Sequence, residues 1–355
     1  MRYYCGKTGK IVVLRHLKCI MKKKLLLLFL LSIACNRSGP KVFDGHALGT
    51  TYHIVITGDG KKIRQKDIDK LIASLNASLS TYQRQSLLSA FNRGEAIIPG
   101  EHILYVMGEA GKIYRDTKGI YDPTVGVLVN AWGFGPGKRI KGIEHDSLMV
   151  DSLRSLVGFD MIYVDGNGRL RKRKKGMFLD FNSIAKGYVI DRIGALIRSR
   201  GYDNFLVELG GEVIASGINE TENRPWRVGI DYPVAGNSSE IAYLEMRDRA
   251  LATSGNYRKF RIDPGTGRKY VHTINPLTGY PAVSHLLSAS VTAPNCTVAD
   301  GWATACMAGG FEKAKSWILS KDFLEGILIY SDSLGKIKVW YSPGLEGKLV
   351  LEKEI

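Results

Sequence analysis

Three short segments carry side chains whose types and spacing could do chemistry. In Ala299-Asp300-Gly301-Trp302-Ala303-Thr304, a carboxylate and a hydroxyl stand at i and i+4 within an otherwise apolar stretch. On a helix that spacing projects both oxygens from one face. A carboxylate with a hydroxyl suits a hard cation such as Mg²⁺, which also takes backbone carbonyls, waters and phosphate oxygens. The same spacing equally fits an N-capping Asp and a Thr bonded back to its own helix.

In Leu179-Asp180-Phe181-Asn182-Ser183-Ile184-Ala185-Lys186-Gly187-Tyr188, an extended run ends at an acid and a helix opens with small residues and a lysine. Free N–H groups and the positive end of the helix dipole favour an anion there, and Lys186 adds charge in the first turn. A phosphate-bearing ligand fits; so does a capping box followed by a surface lysine. The third segment, Val271-His272-Thr273-Ile274-Asn275-Pro276-Leu277-Thr278-Gly279-Tyr280-Pro281, sets a histidine before a Pro/Gly turn. On a loop over a cleft it could take a proton from an attacking hydroxyl, although lone histidines are commonly structural. The common nucleotide cradles, G-x-x-x-x-G-K-[ST] and a strand-linked G-x-G-x-x-G, are absent.

The elements that must position these residues follow from hydrophobic period. Thr51 to Ile56 alternates as a strand, and Ile68, Leu71, Ile72, Leu75 and Leu79 then recur at helical spacing. A second helix is expected from Ile103 to Thr117. Met177-Phe178-Leu179 reads as a buried strand running into a helix near Ser183, with Val189, Ile193, Leu196 and Ile197 as its inner face and Gly201 as its stop. Short strands follow around 205–209, 212–215, 226–230, 241–246 and 287–292, with Thr253 to Tyr257 read as a polar turn. Helices at 297–307 and 311–319 and a hairpin over 326–341 close the chain. Helices and strands interleave without a regular βαβ period, which predicts an α+β fold. No long linker interrupts residues 42–355, so one domain is expected.

The chain has 355 residues, 45% hydrophobic and 24% charged, which excludes a disordered or fibrous chain. Its net charge of +16 suggests nucleic acid until the charges are placed. Eight cations fall in the first 24 residues, before the first acid at Asp44, and the remainder carries +8. That is an ordinary surface excess, so no nucleic-acid partner is expected. One dense run, Arg169 to Lys175, has six cations in seven positions and reads as a solvated hairpin face.

Met21 is followed by three lysines, an apolar run from Leu25 to Leu31, and Ser32-Ile33-Ala34-Cys35. This pattern is a secretory signal with an h-region too short to span a bilayer. Small residues before a cysteine resemble a bacterial lipobox, loosely matched at Ser32 and Ile33, with Cys35 as the lipidated residue; a plain signal peptide and a retained anchor are the alternatives. Residues 1–20 read as an over-long start or extended n-region, 21–34 as the signal peptide, and 36–42 as a polar tether. Without that leader, Cys296 and Cys306 remain beside Cys35. They form no C-x-x-C or Cys/His cluster, so zinc is not expected; the pair could bridge or stay as two buried thiols.

Taken in order, Leu48-Gly49-Thr50-Thr51-Tyr52, Leu79-Ser80-Thr81-Tyr82, Tyr121-Asp122-Pro123-Thr124-Val125-Gly126, Asp180 to Tyr188, Glu208-Leu209-Gly210-Gly211, Ala252-Thr253-Ser254-Gly255, His272 to Pro281 and Asp300 to Thr304 resemble the ApbE family of FAD:protein FMN transferases. The resemblance spans Phe43 to Gly310. It implies an ApbE-like domain over 43–355 that moves FMN from FAD to a Ser or Thr hydroxyl of another protein, releasing AMP. It further implies Mg²⁺ on Asp300, Thr304 and the main-chain carbonyl of Ser183. FAD contacts would come from Leu48, Tyr82, Ile120, Tyr121, Asp122, Asp180, Lys186 and Ile274. His272 would be the base, with Asp180 as an alternative. The family usually has Met where Leu48 stands, and both are flexible and apolar. The acceptor would be an exported or membrane redox flavoprotein subunit, met at the cell envelope by a lipoprotein anchored through Cys35 and facing the periplasm. Rival readings are an FAD pyrophosphatase giving FMN and AMP, and a non-catalytic flavin-binding lipoprotein.

Overall fold

The computed structural model describes residues 39–352, apart from 235–238, 257–259, 264, 266 and 268. The signal, Cys35 and residues 36–38 of the tether lie outside the described residues. At its centre is one sheet of eight strands: β1 (Lys41–Ala47), β2 (Thr50–Thr57), β3 (Asn204–Leu209), β4 (Glu212–Ser216), β5 (Arg249–Gly255), β6 (Leu286–Ala293), β7 (Glu325–Ser331) and β8 (Ile337–Tyr341). Each neighbours the next in chain order, and every pairing is antiparallel.

Eight α-helices occur among the described residues: α1 (Gln65–Leu79), α2 (Leu87–Arg93), α3 (Glu101–Asp116), α4 (Gly126–Ala131), α5 (Ser147–Arg154), α6 (Ala185–Ser199), α7 (Cys296–Gly309) and α8 (Phe311–Leu319). None is long and apolar enough to cross a membrane.

Alternation along the strands shows how the sheet is covered. Ala250 and Ala252 join a core with α1, α3, α6 and α7, whereas Leu251 faces a second core. Leu328 and its neighbours Ile327 and Ile329 divide the same way. The second core lies under a three-stranded sheet made by Trp226–Asp231, Glu240–Met246 and Leu349–Leu351. Where both faces are buried, the central runs Ala250-Leu251-Ala252 and Ile327-Leu328-Ile329 have no polar side to show.

The α+β reading holds, with several local corrections. The Met177 to Leu179 strand does not form; Phe178 makes only an isolated bridge with Val125. The Asn92 side chain takes the place of a partner strand, accepting from the Leu179 N–H and donating to its carbonyl, both at 2.8 Å. Thr253 to Gly255 is the end of β5 rather than a turn; small polar side chains are tolerated because Thr253 bonds Ser290 across the ladder at 2.8 Å. Residues 41 and 42 of the expected tether are already paired in β1. Cys296 and Cys306 are separate, buried thiols.

The basic run does sit on a hairpin, Ile162–Val164 with Leu170–Lys172. Arg169, Arg173, Lys174 and Lys175 are exposed, as a solvated face requires, and three of the six cations also have hydrogen-bond partners in the protein. Lys172 donates to the Asn92 and Met177 carbonyls at 3.0 and 2.9 Å, Arg171 pairs with Asp165 at 2.6 Å, and Lys174 reaches the Ser155 carbonyl at 2.7 Å.

Candidate functional site

One cavity of about 830 Å³ opens between α1, the α6–α7 pair and the loop after His272, a size suited to cofactor-scale ligands. All twelve residues expected to form the site line it: Leu48, Tyr82, Ile120, Tyr121, Asp122, Asp180, Ser183, Lys186, His272, Ile274, Asp300 and Thr304.

The floor is built where α6 and α7 touch. Gly187 permits the contact: a Cβ on it would lie 2.1 Å from the Cys296 carbonyl oxygen. Asp191, one turn later on α6, accepts from the Cys296 and Thr297 N–H groups at 2.7 and 2.8 Å and so seats the start of α7. Asp300 does not cap that helix; Asn295 does, accepting from the Val298 N–H at 2.9 Å. Asp300 is instead mid-helix and 3% exposed, and its Oδ2 accepts the Gly187 N–H at 3.0 Å.

Gly187 is the third residue of α6, where N–H groups have no acceptor within the helix, and Asp300 takes this one. The Ser183 carbonyl, just before the helix, lies 3.4 Å from Thr304 Oγ1, which is also 3.3 Å from Ser254 Oγ. A carboxylate and a hydroxyl from α7 and a carbonyl from the segment before α6 thus meet at the cavity. Among the described residues no three of His, Cys, Asp and Glu gather as a metal cluster. The donors here are all hard oxygens with one carboxylate, a set that fits Mg²⁺ completed by ligand oxygens and water.

Charge on this floor is unbalanced. Lys186 Nζ contacts Glu212 Oε1, and the partner carboxylate is 3% exposed on its side chain. Burial pushes the carboxyls of both Asp300 and Glu212 up, against the pull of Lys186. Burial opposes the charge on Lys186, yet Asp300 and Glu212 outweigh it and raise its ammonium above the ordinary lysine range. Two buried acids thus face one lysine, and a divalent cation would favour their ionised forms.

The walls come from other elements. Leu48 and Gly49 form the two-residue link of the β1–β2 hairpin, with φ of 50° and 77°. Positive φ at both centres is the hairpin turn that matches strand twist, and for Leu48 it is backbone strain stored at the cavity rim. Tyr82 is 61% exposed and follows a turn in which Ser80 Oγ accepts from its N–H at 3.1 Å. Tyr121 is buried, its hydroxyl accepting from Ser183 Oγ at 3.0 Å. Asp122 turns inward: Oδ1 takes the Thr124 N–H and hydroxyl at 2.7 and 2.6 Å, and Oδ2 takes the Phe159 N–H at 3.1 Å. Burial still pushes its carboxyl up to about 6. Its side chain therefore orders the loop that brings residues 120–122 to the cavity.

Asp180 donates its N–H to the Pro123 carbonyl at 2.7 Å and accepts from the Asn182 N–H at 2.9 Å. His272 is half-buried at the end of Lys269–Val271, and the loop after it rests on an aromatic base. Trp132 packs against Tyr270 with ring centres 5.3 Å apart and planes tilted by 38°, and donates to the Gly279 carbonyl at 2.9 Å, while Ile274 is buried in the same cluster.

Sequence reasoning missed Glu212. The Glu208 to Gly211 motif stops one residue short of it, and the only local sign was a buried acid opening an apolar strand. Ser254 and Asn182 also line the cavity without having been singled out.

A sheet backed by helices, with a large cleft floored by hard oxygen donors and a lysine, defines an α+β protein whose site suits an anionic ligand together with a cation. The ApbE family profile matches residues 48–328, and the chain belongs to that family. A Vibrio cholerae relative named FAD:protein FMN transferase is 35% identical over 292 residues, covering 80% of this chain and 86% of its own. One of the same name in Escherichia coli K12 is 31% identical over 324 residues, with 88% and 90% covered. The solved structure of flavin transferase ApbE from Vibrio cholerae aligns with a TM-score of 0.77 at 32% identity, covering 86% of this chain and 98% of that one.

Proposed function

We propose that this protein is an FAD:protein FMN transferase that joins FMN to a Ser or Thr hydroxyl of an acceptor protein. The observation that carries the reading is the convergence of all twelve expected residues on one cavity in a chain of the ApbE family. The acceptor oxygen attacks the phosphorus of the FMN half, its bond to the bridging oxygen breaks, and AMP leaves while a phosphoester forms. The hydroxyl proton goes to His272, with Asp180 as the alternative acceptor. Lys186 meets the diphosphate as a fixed cation, and Tyr82, Leu48 and Ile274 offer the apolar and aromatic surface that a flavin needs. Such transfers depend mainly on positioning and electrostatics. Asp300, Thr304 and the Ser183 carbonyl would hold Mg²⁺, which when bound screens phosphate charge and stabilises the leaving phosphate.

The leader from Met21 to Cys35 supports a lipid anchor at the cell envelope, facing the periplasm, with an exported or membrane redox subunit as acceptor. Incubating the protein with FAD and Mg²⁺, with and without a candidate acceptor, tests the reading by mass spectrometry. Covalent FMN on the acceptor with one AMP released per adduct is expected, and His272→Ala should slow transfer more than FAD binding. AMP and free FMN without adduct would make the protein a hydrolase; retained FAD without AMP would make it a carrier.

A further inference from the structure

We propose that Glu212 is a positioning residue that holds Lys186 away from Asp300 and so keeps the Asp300 carboxylate open to a divalent cation. This rests on the cation site described above. Glu212 opens β4 directly after the tight turn at Gly210 and Gly211, whose φ values are +63° and +100°. The Glu208 carboxylate clamps that turn by accepting the Gly211 N–H at 2.6 Å. The Glu212 carboxylate is thereby aimed inward, 2% exposed, with Oε1 on Lys186 Nζ and no hydrogen-bond partner for Oε2.

A buried carboxylate is costly unless it serves a partner, and here the partner is a flexible point charge with three donors. Lys186 precedes Gly187, whose N–H already holds Asp300, so the ammonium is placed within the field of both acids. Left unclaimed, Nζ would pair with Asp300 and occupy the oxygen a cation requires. Glu212 offers it a competing carboxylate, leaving Lys186 charged at the cavity lining while Asp300 stays available.

The test is a double-mutant cycle read by metal binding rather than turnover, with Mn²⁺ titrated into the full chain and the free ion followed by electron paramagnetic resonance. Glu212→Gln should weaken Mn²⁺ binding by about tenfold, within the usual range of coupling between sites. Adding Lys186→Met should restore affinity to near wild type, because the competitor is gone. Glu212→Asp, which keeps the charge but shortens its reach to Nζ, should also weaken binding and serves if the Gln variant folds poorly by thermal melt. An unchanged affinity in Glu212→Gln overturns the proposal. So does a loss carried undiminished into the Lys186→Met background, which would mean that Glu212 acts on the cation directly. A wild type that binds no Mn²⁺ overturns the cation site itself, and this proposal with it.

Discussion

Gly187→Ala tests whether the close approach of α6 and α7 is what prepares Asp300. The new Cβ would lie 2.1 Å from the Cys296 oxygen, 2.5 Å from its carbonyl carbon and 2.8 Å from the Thr297 nitrogen, all rigid backbone. Reaching ordinary contact distance requires the helices to part by about 1.4 Å. The Gly187 N–H to Asp300 bond, now 3.0 Å, would then be broken. Overpacking costs about 1–3 kcal/mol and a hydrogen bond to a charged group about 1.5–3 kcal/mol, so a total near 3–5 kcal/mol is expected. For a body of this size that lowers the melting temperature by about 5–8 °C. Divalent cation affinity should fall in parallel, since both Asp300 and the Ser183 carbonyl lose their alignment. Gly108→Ala is the control: it is exposed in α3 with nothing within 4 Å of the added methyl. That change should be neutral or stabilising by about 0.5–1 kcal/mol. Differential scanning calorimetry and Mn²⁺ titration of the two variants check the contrast. A Gly187→Ala protein with wild-type melting and wild-type cation affinity would refute the account of the floor.

What sequence could and could not reveal follows from the range of each interaction. Asp300 and Thr304 were legible because a helix repeats every 3.6 residues, so i and i+4 share a face wherever the helix lies. The boundaries of α7 and α8 were legible for the same reason. Glu212 was not, because its partner Lys186 is 26 positions away and only the sheet order brings β4 beside α6. The Met177 to Leu179 error has a similar origin: an apolar extended run satisfied by the Asn92 side chain reads like one satisfied by a strand. Leu349–Leu351 closes the small sheet against Glu240–Met246 from across the chain, a pairing with no local signature. The site's residue types were therefore readable in segments, whereas the contacts that tune them depend on tertiary neighbours.

Asp300→Ala should reduce flavin transfer to background in the mass-spectrometric assay while thermal melting shows a folded protein; retained turnover would remove Asp300 from the cation site. Chelation by EDTA should silence the wild type and Mg²⁺ should restore it, whereas full activity in excess EDTA would count against a divalent requirement. Asp122 gives a pH prediction whose sign is fixed by its burial. Its folded carboxyl is held up to about 6, against about 4 in an unfolded chain. Between those values the folded state binds a proton that the unfolded state has lost, so this group adds stability as pH falls from 7 through 6 and withdraws it as pH rises again. The wild type should accordingly gain melting temperature from pH 7 to about 5, and Asp122→Asn, which cannot titrate, should show a shallower rise. Parallel melting curves for the two proteins across that window would mean that the carboxyl ionises normally despite being enclosed by Thr124 and Phe159.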